Sequence, residues 1–491
     1  MRINYIVMGL VLALGASLGV AAETKAEPVA PRPNIVYVMA DQWRAQATGY
    51  AGDPNVKTPN LDRLATQGIN MANAVSGCPV CTPYRGTLFT GQHPLTTGLF
   101  INDVPLNPKG ATLGETFRSA GYATAYIGKW HVNGGGRKAY TPPERRFGFE
   151  TFKVLECTHD YNKSHYYDGN DRTLRTWDGY DAIAQTHAAI DCIKNRKPDQ
   201  PFLLMLSWGA PHDPYGGAPQ KYRDMYSAGQ IKVRPNVPAE SANAVRCLLA
   251  NYYAHCTAMD DCMGELITAL DQEGLAENTI LVFTADHGDM LKSQNQIHKQ
   301  RPWEESIRVP FLIRYPAKLG HTGKSLDGMF ETADIMPTLL GLSGLSIPGS
   351  VEGKDFSKYL LGQGTDPSGG AAVIASYQPM TDWLTDAGGE YRGLRTPRYT
   401  YTKKLDGPWL LFDNEKDPYQ LTNLIAKPEA AEVQKQLADR RREIGDDGSD
   451  YPLLEAVVQE FWDYDASARA KAEQISHALR ALKEAKPPHK L

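Results

Sequence analysis

Residues 34–43 read NIVYVMADQW, a short apolar run that ends in Asp41 and Gln42. The run is rich in β-branched and aromatic residues, which predicts a buried strand. Similar apolar runs alternate with helical segments along the chain, at Tyr122–Ile127, Pro201–Trp208 and Thr279–Thr284. Continuous apolar strands separated by helices predict an α/β fold, with a mostly parallel central sheet flanked by helices on both faces.

Polar side chains follow each of these four strands. Ligands of open α/β sheets bind beyond the carboxyl ends of the strands, so we expect these side chains to share one site. A single acidic residue at such a place is commonly a helix cap, which is our interpretation of Asp289, but four strands that end this way favour a site. The groups are Asp41 and Gln42, Lys129 and His131, His212 and Asp213, and Asp286 and His287.

Three of these side chains carry the hard oxygen ligands that Ca²⁺ and Mg²⁺ prefer, namely Asp41, Gln42 and Asp286. His287 is a ligand that transition metals favour, or else a group that holds a neighbouring carboxylate. In either case, ligands on two strand ends predict one divalent cation.

The most specific stretch is residues 81–91, CTPYRGTLFTG. Pro83 suits the first turn of a helix, where its missing N–H would be unpaired in any case. A helix that begins here points its free amide groups and positive dipole end at an anion. Cys81 would lie at that anion, and Arg85, one turn further on, would return to the same place.

Taken together, these motifs resemble the type I, formylglycine-dependent sulfatases of the alkaline phosphatase superfamily. The resemblance covers most of Asn34–Leu424 and implies an alkaline-phosphatase-like domain that hydrolyses sulfate esters. It rests on C-x-P-x-R followed by T-G, on the early ADQ, and on GKWH, PHDPY, TADHGD, HK…WEESIRVP at His298–Pro310 and FDNEKDPYQLTNL.

The resemblance also assigns roles to single residues. Cys81 is similar to the cysteine that a separate formylglycine-generating enzyme oxidises to formylglycine, whose hydrate attacks sulfur, and Arg85 to the arginine that steadies that hydrate. Lys129, His131 and Lys299 correspond to groups that hold the sulfate or the nucleophile. His212 corresponds to the group facing the leaving oxygen, a general acid. The metal positions are Asp41, Gln42, Cys81, Asp286 and His287, with Ca²⁺ as the favoured ion.

Three positions depart from the common pattern of the family. Gln42 stands where many members have a second Asp, and loss of that charge is expected to weaken metal binding. His287 stands where Asn is frequent, so the identity of the metal is left open, with Ca²⁺ preferred. Tyr84 replaces a common Ser, while Cys81, Pro83 and Arg85 are intact.

The chain divides into four predicted parts. Residues 1–22 have a short basic start, an apolar run and small residues before Glu23, which predicts a signal peptide; an uncleaved membrane anchor is the alternative. Residues 23–33 are a linker, 34–370 the catalytic domain and 371–491 a smaller C-terminal subdomain with an antiparallel sheet and a helix at Ala466–Lys483. We therefore expect a periplasmic or secreted protein without stable membrane insertion.

Composition limits the partners. The 491 residues include 52 basic and 56 acidic ones, a net charge of −4, and 42% are hydrophobic, which is typical of a globular protein. This balance gives no reason to expect nucleic acid as a partner. There are seven cysteines, so six besides Cys81 could form up to three disulfides whose pairing the sequence leaves open.

The expected substrate is a sulfated glycan. Residues 151–180 mix aromatic and polar side chains that suit sugar faces, although a packed surface loop is the alternative. Arg392, Arg395 and Arg398 could meet a second sulfate or a uronate, or be solvated strand charges. Rival interpretations of the whole chain are a phosphonate or phosphate ester hydrolase on the same scaffold, a non-catalytic carbohydrate-binding relative, and a thiol–disulfide protein using Cys78-x-x-Cys81.

Overall fold

The structure is a computed structural model that describes residues 31–380, 389–404, 406–425 and 427–428. The predicted signal peptide, most of the linker and the predicted helix at Ala466–Lys483 lie outside the described residues. The predicted domain boundary near residue 370 stays a prediction.

The main sheet of the described residues has ten strands in the order β10-β2-β9-β8-β1-β7-β3-β4-β5-β6. Its centre, β8-β1-β7-β3-β4, is parallel, and β9, β5 and β6 add antiparallel pairs. The strands are β1 (Asn34–Asp41), β2 (Ile69–Met71), β3 (Ala123–Lys129), β4 (Thr151–Leu155), β5 (His165–Asp168), β6 (Asp171–Thr176), β7 (Phe202–Pro211), β8 (Thr279–Ala285), β9 (Phe311–Arg314) and β10 (Lys324–Leu326).

Strand β1 lies in the middle of this sheet, which explains its unbroken apolar sequence. Val36 pairs with Leu204 of β7 on one side and with Leu281 of β8 on the other. All residues of β1 are buried, because helices cover both faces of the sheet. The predicted parallel α/β architecture is thus confirmed.

Helices of the described residues connect and cover the strands. The N-terminus of α4 illustrates a local sequence signal, because Thr112 and Glu115 form a reciprocal capping box. The helices are α1 (Pro59–Gln67), α2 (Cys81–Thr90), α3 (Pro94–Thr97), α4 (Leu113–Ser119), α5 (Asp181–Lys194), α6 (Gln220–Arg223), α7 (Ala242–Gln272), α8 (Glu304–Ile307), α9 (Pro316–Leu319), α10 (Ile335–Leu342) and α11 (Ser357–Leu360). Among these helices, none is both long and apolar enough to cross a bilayer.

One predicted helix is wrong at its C-terminal half. The apolar spacing of Leu61–Ala72 predicts a single helix, but α1 ends at Gln67 and Ile69–Met71 forms strand β2. Gly68 separates them in an extended conformation, and a Cβ there would meet the Ile313 carbonyl oxygen at 2.6 Å. Close approach of β9 therefore requires glycine and ends the helix.

A second sheet follows the main one in the chain. Its four described strands are antiparallel and lie in chain order, as the alternation of short strands and turns predicts. They are β11 (Ala372–Ser376), β12 (Tyr391–Arg395), β13 (Tyr399–Lys404) and β14 (Gly407–Asp413).

Candidate active site

The four central strands deliver their polar side chains to one edge of the sheet, as predicted. Asp41 ends β1 and Lys129 ends β3, and their carboxylate and ammonium groups lie 2.6 Å apart. Asp286 and His212 directly follow β8 and β7. The parallel order of these strands is what brings residues distant in sequence into one buried cluster.

Helix α2 contributes the nucleophile candidate. Cys81 is its first residue and is buried. The sulfur lies 3.1 Å from Lys299 Nζ, 3.3 Å from His287 Nε2 and 3.7 Å from Asp41 Oδ1. Burial and Asp41 raise the pKa of this thiol, but the positive charges of Lys129, Lys299 and His287 outweigh them and hold the pKa well below its usual value.

Arg85 returns to the site from the second turn of α2, as the spacing predicts. One of its terminal nitrogens faces Asp41 at 3.2 Å and Asp286 at 3.4 Å. The other donates to the Lys129 carbonyl oxygen at 2.6 Å and to Ser207 Oγ at 2.8 Å. Arg85 therefore fixes the two carboxylates relative to the end of β3.

Four side chains offer a place for one cation. A carboxylate oxygen of Asp41 and of Asp286, the Cys81 sulfur and a ring nitrogen of His287 all lie within 4.8 Å of one another. Burial and Asp41 raise the pKa of Asp286 to about 6, which reports the crowding of negative charge that a cation relieves. His287 donates from Nδ1 to the Gly288 carbonyl at 3.0 Å, which leaves Nε2 facing the cluster. The donor set fits a divalent ion.

Gln42 lies beside this cluster in a left-handed backbone conformation, with φ of 68°. Its side-chain nitrogen donates to Asp289 at 2.7 Å and to Asp213 at 3.3 Å. Its side-chain oxygen accepts from Lys299 at 3.2 Å. The two carboxylates each accept an N–H from position 42, which an Asp in place of Gln42 could not donate.

His131 lies at the same edge of the main sheet and has a partner that no sequence pattern indicates. Its Nε2 lies 2.9 Å from Asp103 Oδ1. Burial and Lys129 lower the pKa of His131, but Cys157, Asp103 and Cys81 outweigh them and raise the pKa to about 9. The ring is therefore a cation at neutral pH. Asp103 is in an irregular segment, where no motif or periodicity marks it.

His212 is held in a neutral form. Its Nδ1 donates to the Asp213 carbonyl at 2.8 Å, and its Nε2 lies 2.8 Å from Lys299 Nζ. Burial and Lys299 lower the pKa of His212 to about 3. His159, another residue that the sequence analysis missed, stacks on the His212 ring with centroids 4.5 Å apart.

Each of the two predicted sugar-binding segments is packed within the protein in part only. Residues 151–180 form β4 to β6, where Tyr166 stacks on Trp177 at 3.9 Å. Arg392 and Arg395 are buried, with ion pairs to Glu390 and Glu304, so their interpretation as solvated charges is wrong. The strands bring these arginines inward, where each contacts a carboxylate.

None of the disulfides that the sequence left open is present. All seven cysteines, each of which the structure describes, are free, and Cys78 and Cys81 are not bonded to each other. Burial raises the pKa of the Cys78 thiol to about 12, in contrast to the lowered pKa of Cys81. Both thiols are also buried, so neither has the exposure of a redox-active C-x-x-C cysteine.

A mostly parallel sheet with a buried cation-type cluster at its carboxyl edge is the architecture expected of an enzyme of the alkaline phosphatase superfamily. Comparison with known families matches the sulfatase family over residues 33–345 and the C-terminal region of N-sulphoglucosamine sulphohydrolase over residues 295–446. The chain belongs to the type I sulfatase family, and it is a sulfuric ester hydrolase.

Individual relatives agree with this assignment. An ulvan-active sulfatase of Formosa agariphila is 45% identical over 89% of this chain and 86% of its own length. An endo-4-O-sulfatase of Bacteroides thetaiotaomicron is 32% identical over 84% of this chain and 92% of its own. A solved structure from a B. thetaiotaomicron locus for glycosaminoglycan metabolism superposes with a TM-score of 0.73, at 30% identity, over 84% of this chain and 97% of that one.

Proposed function

We propose that this enzyme removes sulfate from a sulfated carbohydrate, with formylglycine made from Cys81 as nucleophile and one divalent cation, Ca²⁺, as cofactor. The observation that carries the proposal is the position of Cys81. It lies at the N-terminus of α2, within the cation-type cluster and 3.1 Å from the Lys299 ammonium. A sulfate group placed there would meet positive charge and the amino end of a helix.

The nucleophile would be the hydrate of the formylglycine aldehyde. Its two hydroxyls would supply the attack on sulfur, with departure of the alcohol, and then the release of sulfate as the aldehyde re-forms. Arg85 would hold Asp41 and Asp286 in place while this occurs, since it contacts both carboxylates. A plain cysteine lacks the second hydroxyl and therefore this exit.

The cation would be held by Asp41, Asp286, His287 and the side chain at position 81, with the Gln42 amide oxygen close by. When bound, it polarises the sulfate and lowers the pKa of the attacking hydroxyl. Lys129, Lys299 and His131 would stabilise the sulfate oxygens, because all three are buried cationic groups at the same edge of the sheet.

His212 would deliver the proton to the leaving alcohol. The imidazole is positioned from two sides, by the Asp213 carbonyl and by the stacked ring of His159. Its Nε2 faces Lys299, so the lysine can supply a proton to the ring as the ester bond breaks.

A carbohydrate is the favoured substrate class. The relative at 45% identity is described as ulvan-active, and the one at 32% as an endo-4-O-sulfatase. Ulvan oligosaccharides are therefore the first substrates to try. The proposal extends to maturation by a formylglycine-generating enzyme and to export directed by residues 1–22, which sequencing the N-terminus of the secreted protein would test.

The decisive experiment combines the mass of the peptide that contains position 81 with the rate of sulfate release. In active enzyme, the peptide containing Cys81 should be lighter than its sequence mass, since sulfur and two hydrogens are exchanged for one oxygen. Cys81→Ala should fold and release no sulfate from ulvan oligosaccharides, while the matched control Cys78→Ala should keep its activity. A fully active preparation with an unmodified Cys81 thiol would refute the formylglycine proposal.

Phosphonate or phosphate ester hydrolysis is the second candidate. The observation that favours it is the residue set of the site, because Arg85, Lys129 and Lys299 attract any tetrahedral oxyanion and Gln42 and His287 depart from the common sulfatase pattern. Turnover of matched nitrophenyl sulfate and nitrophenyl phosphonate esters separates the two. A larger kcat/KM for the sulfate ester would support a sulfate ester as the physiological substrate.

A further inference from the structure

A second polar pocket lies between the main sheet region and the second sheet. Its volume is about 400 Å³. One wall comes from residues 51–55 and 232–235 and from Arg308, and the opposite wall from Arg395, Asn414 and Tyr419. None of the residues proposed above for catalysis or metal binding lines it. We call it the arginine pocket.

The lining of the arginine pocket is positively charged. Four basic residues line it, against two acidic ones, which leaves a formal charge of +2 in a chain whose net charge is −4. A concave surface with this excess attracts anions. The basic residues are Lys232, Arg234, Arg308 and Arg395, and the acidic ones are Asp53 and Glu304.

Two of the guanidinium groups share one carboxylate. Arg395 binds Glu304 through two contacts, of 2.7 Å and 3.2 Å, and Arg308 reaches the same carboxylate at 3.4 Å. Among the residues that the structure describes, Arg308 Nε and Arg395 Nη1 have no hydrogen-bond acceptor. The pair is therefore short of negative charge and of acceptors.

The third guanidinium has a carboxylate of its own but lies close enough to act on the charge of Arg308. Arg234 pairs with Glu305 at 3.0 Å and stacks over the Tyr419 ring at 4.9 Å. Burial lowers the pKa of Arg308; Glu304 opposes this shift, while Arg395 and Arg234 add to it. The mutual repulsion of the three guanidinium groups would be relieved by a bound anion.

Neutral donors and aromatic rings complete the lining. Asn55, Asn73 and Asn414 line the pocket with side-chain amides that also bond within the protein, and Tyr253 and Tyr419 are the aromatic residues of the lining. Guanidinium groups recognise sulfate and carboxylate oxygens in pairs, and amides with aromatic faces suit the sugar that carries them.

We propose that the arginine pocket is a second anion site, which binds a sulfate or carboxylate group apart from the active site. The anion is either free sulfate or the charged substituent of a glycan. This inference goes beyond the proposed function, because binding here requires neither formylglycine nor the active-site cation.

Sulfate binding can be measured by the thermal unfolding midpoint of the protein, with sodium chloride at equal ionic strength as reference. The test variants are Arg308→Gln and Lys232→Gln, and the matched control is Arg118→Gln, an exposed arginine of α4 outside the pocket. Sulfate bound in the active site contributes equally to all of these proteins, so the difference between them isolates the arginine pocket.

We expect the apparent dissociation constant for sodium sulfate, or for a sulfated ulvan oligosaccharide, to rise about tenfold in Arg308→Gln and to stay unchanged in Arg118→Gln. A difference seen with sodium sulfate identifies free sulfate as a ligand, and one seen only with the oligosaccharide identifies a glycan. Equal responses of wild type and both pocket variants to both probes would overturn the proposal.

A second measurement holds even if a pocket variant fails to fold. Wild-type crystals soaked in sodium selenate, which has the shape and charge of sulfate, should give an anomalous peak among Arg234, Arg308 and Arg395. A peak at the active site together with none in the arginine pocket would refute the second site.

Discussion

The Lys299 ammonium lies 2.8 Å from Nε2 of His212, so a buried cation faces the histidine that is proposed to protonate the leaving group. The ring is neutral in this state, because burial and the lysine lower its pKa to about 3. A sulfate ester would compete for the lysine ammonium and change this balance. In the proposed mechanism, the pair would couple recognition of the sulfate charge to the proton supply of the reaction.

This arrangement predicts that His212→Ala is selective in its effect. Sugar alcohols are poor leaving groups and need a proton, whereas nitrophenolate leaves without one. We expect kcat/KM to fall about 10²–10⁴-fold on a sulfated oligosaccharide and far less on nitrophenyl sulfate. Equal losses on both substrates, measured side by side, would exclude a general-acid role for His212.

Removal of divalent cations is predicted to cost both activity and stability. Asp41 and Asp286 are buried side by side, and without a cation their charges are balanced only by neighbouring basic groups. Dialysis against a chelator should abolish sulfate release and lower the thermal midpoint, and Ca²⁺ should restore both; a ligand at a hundredfold excess over its Kd stabilises by about 2.7 kcal/mol. Full activity in a preparation that elemental analysis finds free of metal would contradict the proposed site.

The Gln42 carboxamide is predicted to be required by its neighbours. In Gln42→Asp, a third carboxylate would stand where the amide donates to Asp289 at 2.7 Å and to Asp213 at 3.3 Å. We expect a loss of about 1–3 kcal/mol in the unfolding free energy of metal-free protein. The double variant Gln42→Asp/Asp289→Asn should recover part of this loss. The single variant Asp289→Asn completes the double-mutant cycle. A Gln42→Asp variant as stable as wild type would refute this explanation.

Stability is predicted to fall as pH rises through neutrality because of Glu331. Burial raises its pKa from 4.5 to about 7, with Lys354 opposing and Glu352 adding to the shift, and His93 and Asp334 lie beside it. Since the folded-state pKa exceeds the unfolded one, this contribution to stability is present below about pH 4.5 and is lost as pH rises through 7. Glu331→Gln should therefore stabilise the protein at pH 8 by about 1–3 kcal/mol and change little at pH 5.

Urea unfolding of both proteins at the two pH values measures this difference. Glu277→Gln is the matched control, because that side chain is 64% exposed. A stability gain that is the same at pH 5 and pH 8 would show that the substituted amide acts through packing and not through the lost charge.

Sequence reasoning reached the centre of the fold and of the candidate site because both depend on strong local signals. The apolar run of β1 and the polar residues after it follow from burial on both faces of a parallel sheet, and the spacing of Cys81 and Arg85 follows from one helical turn. Asp103 and His159 were missed because they lie in irregular segments, and only the folded chain brings them to His131 and His212.

The burial of Arg395 also depends on a contact that is distant in sequence. A short strand with two arginines is compatible with a solvated face, and only the contact with Glu304, 91 positions away in the chain, places the Arg395 guanidinium in the interior. The C-terminal end of the helix predicted at Leu61–Ala72 was wrong for the same reason, because the approach of β9 to Gly68 is a long-range contact. Such features depend on partners far away in sequence, for which periodicity carries no information.

The ion pair between Arg395 and Glu304 bears on how the chain can be divided. Glu304 is buried and belongs to the main sheet region, while its two-contact partner is on β12 of the second sheet. A fragment that stops near residue 370 would leave this carboxylate with Arg308 alone, and stranding one member of a buried pair costs about 3–5 kcal/mol. Truncation near residue 370 is therefore expected to destabilise the part of the chain that carries the candidate site, because the second sheet supplies the partner of a buried charge.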